Sequence, residues 1–386
     1  MQPRTTQPRT TQPSSPPASP NGAPAACSLL PPGQRGPCKR RGAEQLQVAW
    51  LTTLTWGSAT TPAPVARQVQ LWCGVFPVHW RQVVDAELLE RQTATIQRHL
   101  SGSFTQLLSA MVRDPALQLS LNGPSNQRRK PNENLARELL ELFTLGEGNY
   151  TETDVREAAR ALTGYRLDQE RRLVLEPRRH DAGKKTILGR TADFDGASLA
   201  LWLAEQPATA RHITARLWRQ TIGTPPVQAR VEVIAEAWRR RQLSLPWLME
   251  ALASTPEAAA SRRSGQRLSD PLELISRSLR LLGSRHPEAL AISLRGLRAM
   301  GQAPFEPPSV KGWPVNEQWL QLRWLQARRQ TLQQLLADEE VWDSRAVPAT
   351  LPASLTTRPP LTLALPTASS RDTLARLFAD PVWQLA

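Results

Sequence analysis

Cysteine and histidine are scarce in this sequence, and each scarcity narrows the chemistry it can carry. The three cysteines, Cys27, Cys38 and Cys73, make neither a disulfide framework nor a zinc set. A Cys27–Cys38 bridge would staple only a disordered loop. The five histidines are His79, His99, His180, His212 and His286, and only His180 lies inside a dense polar motif, so a histidine-dependent mechanism rests on it. No apolar run reaches the length of a membrane span. Near the start the longest apolar stretch, around Ala25 to Leu30, is short and flanked by prolines, which is not a secretory h-region. Gly-rich phosphate loops, zinc-spaced Cys and His, and a Gly-x-Ser-x-Gly nucleophile turn are absent.

The charge is equally one-sided. The chain carries a formal +14, and its only lysines are Lys39, Lys130, Lys184, Lys185 and Lys311, so arginine supplies nearly all of it. Such a skew reads as genomic composition more than as selection for a polyanion. Non-specific attraction to phosphate follows from any basic surface, but no nucleic-acid recognition module is legible.

With 40% hydrophobic residues the chain can bury a core. Residues 1–44, rich in Pro, Thr and Arg, read as a disordered tail, and residues 45–340 as one helical domain. Residues 341–370 read as a Pro/Thr-rich linker and 371–386 as a docking helix. The expected fold is all-α: a single multi-helix domain with disordered termini and a small extended or hairpin insertion near 170–190. There the short runs Leu173-Val174-Leu175 and Thr186-Ile187-Leu188 flank the His180 segment.

The densest patterning runs from Pro131 to Gly164. At 100° per residue Leu135, Ala136, Leu139, Leu140, Leu142 and Phe143 share one arc, and Glu133, Asn134, Arg137, Glu138 and Glu141 the opposite one. Gly146 is placed to end that helix in a left-handed conformation, and Thr151 with Asp154 forms a capping pair for the next. Arg137, at i+4 from Glu133 and i−4 from Glu141, is positioned to bridge both.

These residues, Asn132-Glu133-Asn134 through Leu145-Gly146, Tyr150 through Val155 and Ala161 through Gly164, resemble the bacterial family called domain of unknown function 1800. His180 to Gly189, Asp270 to Leu274 and Gly301 to Pro314 with Trp313 agree with it in the same order. The resemblance covers roughly Trp72 to Arg329, and on that reading the N-terminal part of the family domain is missing. It implies an uncharacterised protein, often exported, and a partner of an exported, sulfatase-like family. The family's Phe-Trp-x-x-His-Phe element has Val75 at its histidine position here, so Leu71 to Phe76 reads as core.

Three clusters are candidates for chemistry. The first is the carboxylate face Glu133, Glu138 and Glu141 with Arg137. The second is His180, Asp181 and Lys185, where His180 and Asp181 point to opposite faces of an extended chain. The third is Glu273, Arg277 and Lys311 near Trp313, for which surface pairing is expected. Asn132, Asn134, Asp154, Gly164 and Gly189 read as structural. Three functions stay open. The first is a scaffold or partner-binding protein, envelope-associated by resemblance. The second is a metal-assisted hydrolase in which Glu133, Glu138 or Glu141 joins Asp181 or His180 around a hard cation. The third is a polyanion binder. No cofactor is specified, and neither the localisation nor the reaction follows from the residues.

Overall fold

The computed structural model describes residue 27 and residues 30–385, apart from 266, 347–355, 357, 359 and 362–369. Among these, eighteen α-helices and two two-stranded antiparallel sheets form one helical body. A chain with 34 prolines can be this helical because many of them open helices. Pro115, Pro207, Pro256, Pro271 and Pro287 each occupy a first helical position, where the missing N–H would have no intrahelical partner. Side-chain oxygens of Asp85, Ser103, Asp114, Thr151, Asp195, Thr255, Asp270 and Ser370 accept backbone N–H groups at the helix starts that follow them.

The main core runs from Trp50 to Trp383. Trp72 and Phe76 lie at its centre, with ring centroids of Trp72–Phe104, Phe104–Trp238 and Phe76–Phe143 at 5.9, 5.8 and 5.3 Å. Val75 is buried beside them, in keeping with a packing role for that segment. The central helix, Asn134–Glu141, buries Leu135, Ala136, Leu139 and Leu140. Beyond it the chain unwinds through wide turns, Phe143 N–H to Glu138 O and Leu145 N–H to Leu140 O, and Gly146 follows at φ +82°. A Cβ on Gly146 would lie 2.7 Å from His212 Nδ1, so packing as well as backbone conformation requires glycine there.

Several expectations need correction. The N-terminal stretch is helical well before residue 45, because the helix Pro32–Trp56 crosses that boundary and buries Trp50, Leu51 and Leu54. Cys27 and Cys38 are bridged, and the bridge fastens the chain to the first turns of that helix instead of closing a disordered loop. The expected small insertion is present and consists of two hairpins. Leu173–Leu175 pairs with Tyr165–Leu167, and Lys185–Ile187 pairs with Arg190–Ala192. The second closes through Leu188 and Gly189, both at positive φ, the two-residue turn that matches strand twist.

Residues 1–26 and most of the expected linker lie outside the described residues. The helix Arg371–Ala379 and the 3-10 turn Pro381–Gln384 pack on the body. Trp383 is buried with its indole N–H donating to Ser278 Oγ at 3.0 Å, and Arg277 donates to Leu385 O at 2.6 Å and to Trp383 O. Ser269 N–H donates to Gln384 O at 2.8 Å. The C-terminal segment thus braces the start of the helix Pro271–Leu282.

Candidate functional site

The carboxylate face is occupied by local partners. Arg137 pairs with Glu133 at 3.3 Å and with Glu152 of the next helix at 2.8 Å. It does not bridge to Glu141, which instead accepts from Tyr150 Oη at 2.6 Å. The helix Glu152–Ala161 folds back on the same face, so Glu152 meets the guanidinium in place of Glu141. Glu138 is half-buried, and burial together with the Glu141 charge raises its pKa.

Around the second cluster, Asp181 accepts from Arg160 at 2.8 Å, and Arg160 also pairs with Glu157 at 2.7 Å. His180 Nδ1 lies 2.9 Å from Thr163 O. Lys185 is buried, with Nζ donating to Asp181 O at 2.5 Å and Phe194 O at 2.7 Å; burial lowers its pKa. An amine enclosed by two carbonyls is a structural tie. The structure therefore does not bring Glu133, Glu138 or Glu141 together with His180 or Asp181. Among the described residues no three His, Cys, Asp or Glu side chains are grouped so that they could hold a metal ion.

The other motif residues hold loops. Asn132 Oδ1 caps Asn134 N–H at 3.0 Å, and Asn134 Nδ2 donates to Leu121 O at 3.2 Å. Asp154 accepts from Thr151 N–H at 2.8 Å and, across to the second hairpin, from Leu188 N–H at 2.7 Å. Burial opposes its ionisation, but these bonds keep its pKa below the ordinary value. Gly164 sits where a Cβ would meet His180 N at 2.8 Å.

From the end of the central helix a single cation leads to a different place. Arg216 donates to Leu142 O at 2.7 Å, Gly74 O at 2.7 Å and Lys311 O at 3.1 Å. Burial lowers its pKa to about 10. Arg216 thereby ties the Asn-Glu-Asn helix to the loop carrying Trp313. Gly312, at φ +88°, would place a Cβ 2.5 Å from Gly74 O, so the loop can come this close only as glycine.

That loop walls a cleft of about 610 Å³. The facing wall is the helix Ala63–Val75, which presents Pro64, Arg67, Leu71 and Gly74 at helical spacing together with Gln68 and Gln70. The third wall is the helix Pro271–Leu282, with Glu273, Ser276 and Arg280 one turn apart and Asp270 at its start. Glu273 pairs with Arg267 at 2.6 Å. Lys311 and Arg277, grouped with Glu273 in sequence, are not among the lining residues, because Arg277 turns away to the C-terminal segment.

The cleft is rich in hydrogen-bond donors without acceptors. Gln70 Nε2, Trp313 Nε1 and Trp319 Nε1 are buried without a hydrogen-bond partner, as is one acceptor, Gln220 Oε1. Gln70 cannot turn its amide around. Its Oε1 accepts at 2.8 Å from the indole N–H of Trp50, which can only donate. At the mouth stand Arg67, Arg219 and Arg280, all exposed. Burial and then the neighbouring charge of Arg67 lower the pKa of Arg280. Among the described residues neither Arg67 nor Arg280 has a carboxylate at salt-bridge distance; the cleft's one ion pair is Arg267–Glu273. On the same helix wall as Arg280, burial and the Glu273 charge raise the pKa of Asp270, while for Arg267 burial is outweighed by Glu273 and its pKa rises. Two like charges held close beside orphaned donors are an arrangement that an anion relieves.

Sequence reading quoted Asp270, Glu273, Gln302 and Trp313 as motif residues but did not join them across the cleft. Arg67, Gln68, Gln70, Gln220 and Arg280 were missed. Their one signal is polar side chains recurring at helical spacing beside apolar ones, and that pattern also describes any half-exposed helix.

The described residues contain no helix long and apolar enough to cross a membrane. No curated protein and no solved structure matches the chain. The family described as "Protein of unknown function (DUF1800)" matches residues 4–384, reaching well upstream of the Trp72 at which the resemblance read from motifs begins and taking in the N-terminal stretch. Nearly the whole chain is matched, and the protein belongs to that family.

Proposed function

We propose that this protein is a partner-binding protein and that the cleft between the helices Ala63–Val75 and Pro271–Leu282 seats an anionic, oxygen-bearing group of its partner. The carrying observation is that Arg67 and Arg280 line the mouth of one cleft, neither with a carboxylate at salt-bridge distance among the described residues, the Glu273 charge only partly offsetting that of Arg67 at Arg280. Guanidinium groups recognise carboxylate, sulfate and phosphate through paired N–H donors. Gln68, exposed on the same wall, adds a neutral hydrogen-bonding group for the same oxygen-rich ligand.

The Cys27–Cys38 bridge supports an oxidising compartment for the folded protein. An envelope-associated partner fits that setting. General attraction of polyanions to a +14 chain needs no cleft and predicts no dependence on particular arginines.

Isothermal titration with sodium sulfate and with succinate at low ionic strength tests the reading. Saturable binding is expected, lost in an Arg67→Ala/Arg280→Ala double variant and retained in Arg239→Ala/Arg240→Ala on the remote helix Gln228–Arg240. Binding that is absent, or indifferent to Arg67 and Arg280, overturns it.

A further inference from the structure

A second depression, of about 740 Å³, adjoins the cleft, and Gln68 and Met249 belong to the walls of both. The helix Ala63–Val75 supplies adjacent stripes to the two. Pro64, Arg67, Leu71 and Gly74 line the first, and Val65, Gln68 and Trp72 the second. A ligand lying across this helix passes from one to the other over Gln68, which is exposed and makes no side-chain hydrogen bond among the described residues. Leu100, Leu245 and Pro246 make the second depression largely apolar, while Ser101 and Glu250 give it a polar rim.

We infer that the two depressions form one groove for an extended peptide segment of a partner protein, with an acidic side chain between Arg67 and Arg280 and a nearby apolar side chain in the second depression. The inference rests on the anion reading of the cleft and adds the ligand class. Charge complementarity selects the acid. The mixed wall selects a peptide over an acyl chain, since Gln68 and Ser101 can bond peptide groups that a hydrocarbon tail lacks. Residues 1–26 and 347–369 of this chain contain no Asp or Glu and so supply no such acid.

The test is calorimetric titration of the full chain with four probes. They are sulfate, the capped peptide Leu-Leu-Ser-Glu-Ser-Leu-Leu, its Glu-to-Gln form, and its form with every Leu replaced by Ser. The parent peptide is expected to bind about tenfold or more tighter than either altered peptide, the size of one well-buried apolar side chain or one charge-assisted contact. Ser101→Trp and Ala253→Trp, at exposed positions of the second depression, should remove the leucine-dependent gain and leave sulfate binding unchanged. If sulfate binds but the Leu-to-Ser peptide matches the parent, the groove inference fails while the anion reading stands. An equally tight Glu-to-Gln peptide contradicts the acid seat. Submicellar dodecanoate binding more tightly than the parent replaces the peptide with an acyl ligand. Failure of sulfate and all peptides removes both readings.

Discussion

The indole N–H of Trp50 donates to Gln70 Oε1 at 2.8 Å, and this bond leaves the Gln70 amide nitrogen as a buried donor without a partner beside the cleft. A core tryptophan thus sets the polarity of a binding wall. Trp50→Phe keeps most of the buried ring and removes the donor. We expect a cost of about 1 kcal/mol in denaturant unfolding, with sulfate affinity lowered because Gln70 is free to turn. Unchanged affinity in a folded variant would separate Gln70 from the site.

Asp114 caps the helix Pro115–Ser120 through Leu117 N–H at 2.9 Å. Burial raises its pKa from the ordinary 3.8 to about 7, against the backbone bonds and Arg91 that favour the charge. The folded state therefore holds this proton more tightly than the unfolded chain, and stability falls as pH rises from about 4 to about 7, by up to roughly 4 kcal/mol. Asp114→Asn keeps a capping oxygen and carries no charge. Its unfolding free energy should decline less over that range and exceed that of the parent at pH 8. A parallel pH profile for the two proteins contradicts this.

Thiol chemistry should distinguish the three cysteines. Cys73 is buried, and burial with the nearby Asp114 charge pushes its pKa up to about 12, so the thiolate needed for attack is scarce at pH 8. Native protein is expected to show no thiol reactive to an aromatic disulfide reagent, two after mild reduction of Cys27–Cys38, and three once unfolded. A fast-reacting native thiol would count against the buried placement of Cys73.

Two arginines of similar sequence context should differ in weight. Arg137 joins an exposed ion pair and Arg160 a partly buried one that fastens the second hairpin to the helix Glu152–Ala161. Arg137→Ala should cost under about 1 kcal/mol. Arg160→Ala leaves Glu157 and Asp181 without their shared cation and should cost about 2 kcal/mol. It should also raise hydrogen exchange at Thr186 and Leu188, whose N–H groups bond Glu157 and Asp154. Equal costs would mean the hairpin is not held by Arg160.

How much was legible in the sequence follows from the range of the forces involved. Helical periodicity and caps act within a few residues, so the apolar arc of Asn134–Glu141 and the Thr151–Asp154 box could be read directly. Arg137's choice of Glu152 over Glu141 depends on how two helices fold together, which a single-helix projection does not contain. The division of the insertion into two hairpins was not legible because the partner strands Tyr165–Leu167 and Arg190–Ala192 are three residues each, too short for alternation to register. The cleft draws on Arg67, Gln220, Asp270 and Trp313, spread over some two hundred and fifty positions. Only long-range packing through Arg216 and Gly312 brings them together.

The most direct measurement of the central claim is the ¹H–¹⁵N spectrum of the tryptophan indoles during titration with sulfate, with assignments from Trp313→Phe and Trp319→Phe. If the cleft is the anion seat, the Trp313 and Trp319 N–H signals shift saturably while Trp238, which lines neither depression and whose indole N–H donates to Ser244 O, stays in place, and the shifts vanish in Arg67→Ala/Arg280→Ala. Saturable binding with the Trp313 and Trp319 signals unmoved would place the anion elsewhere and contradict the account.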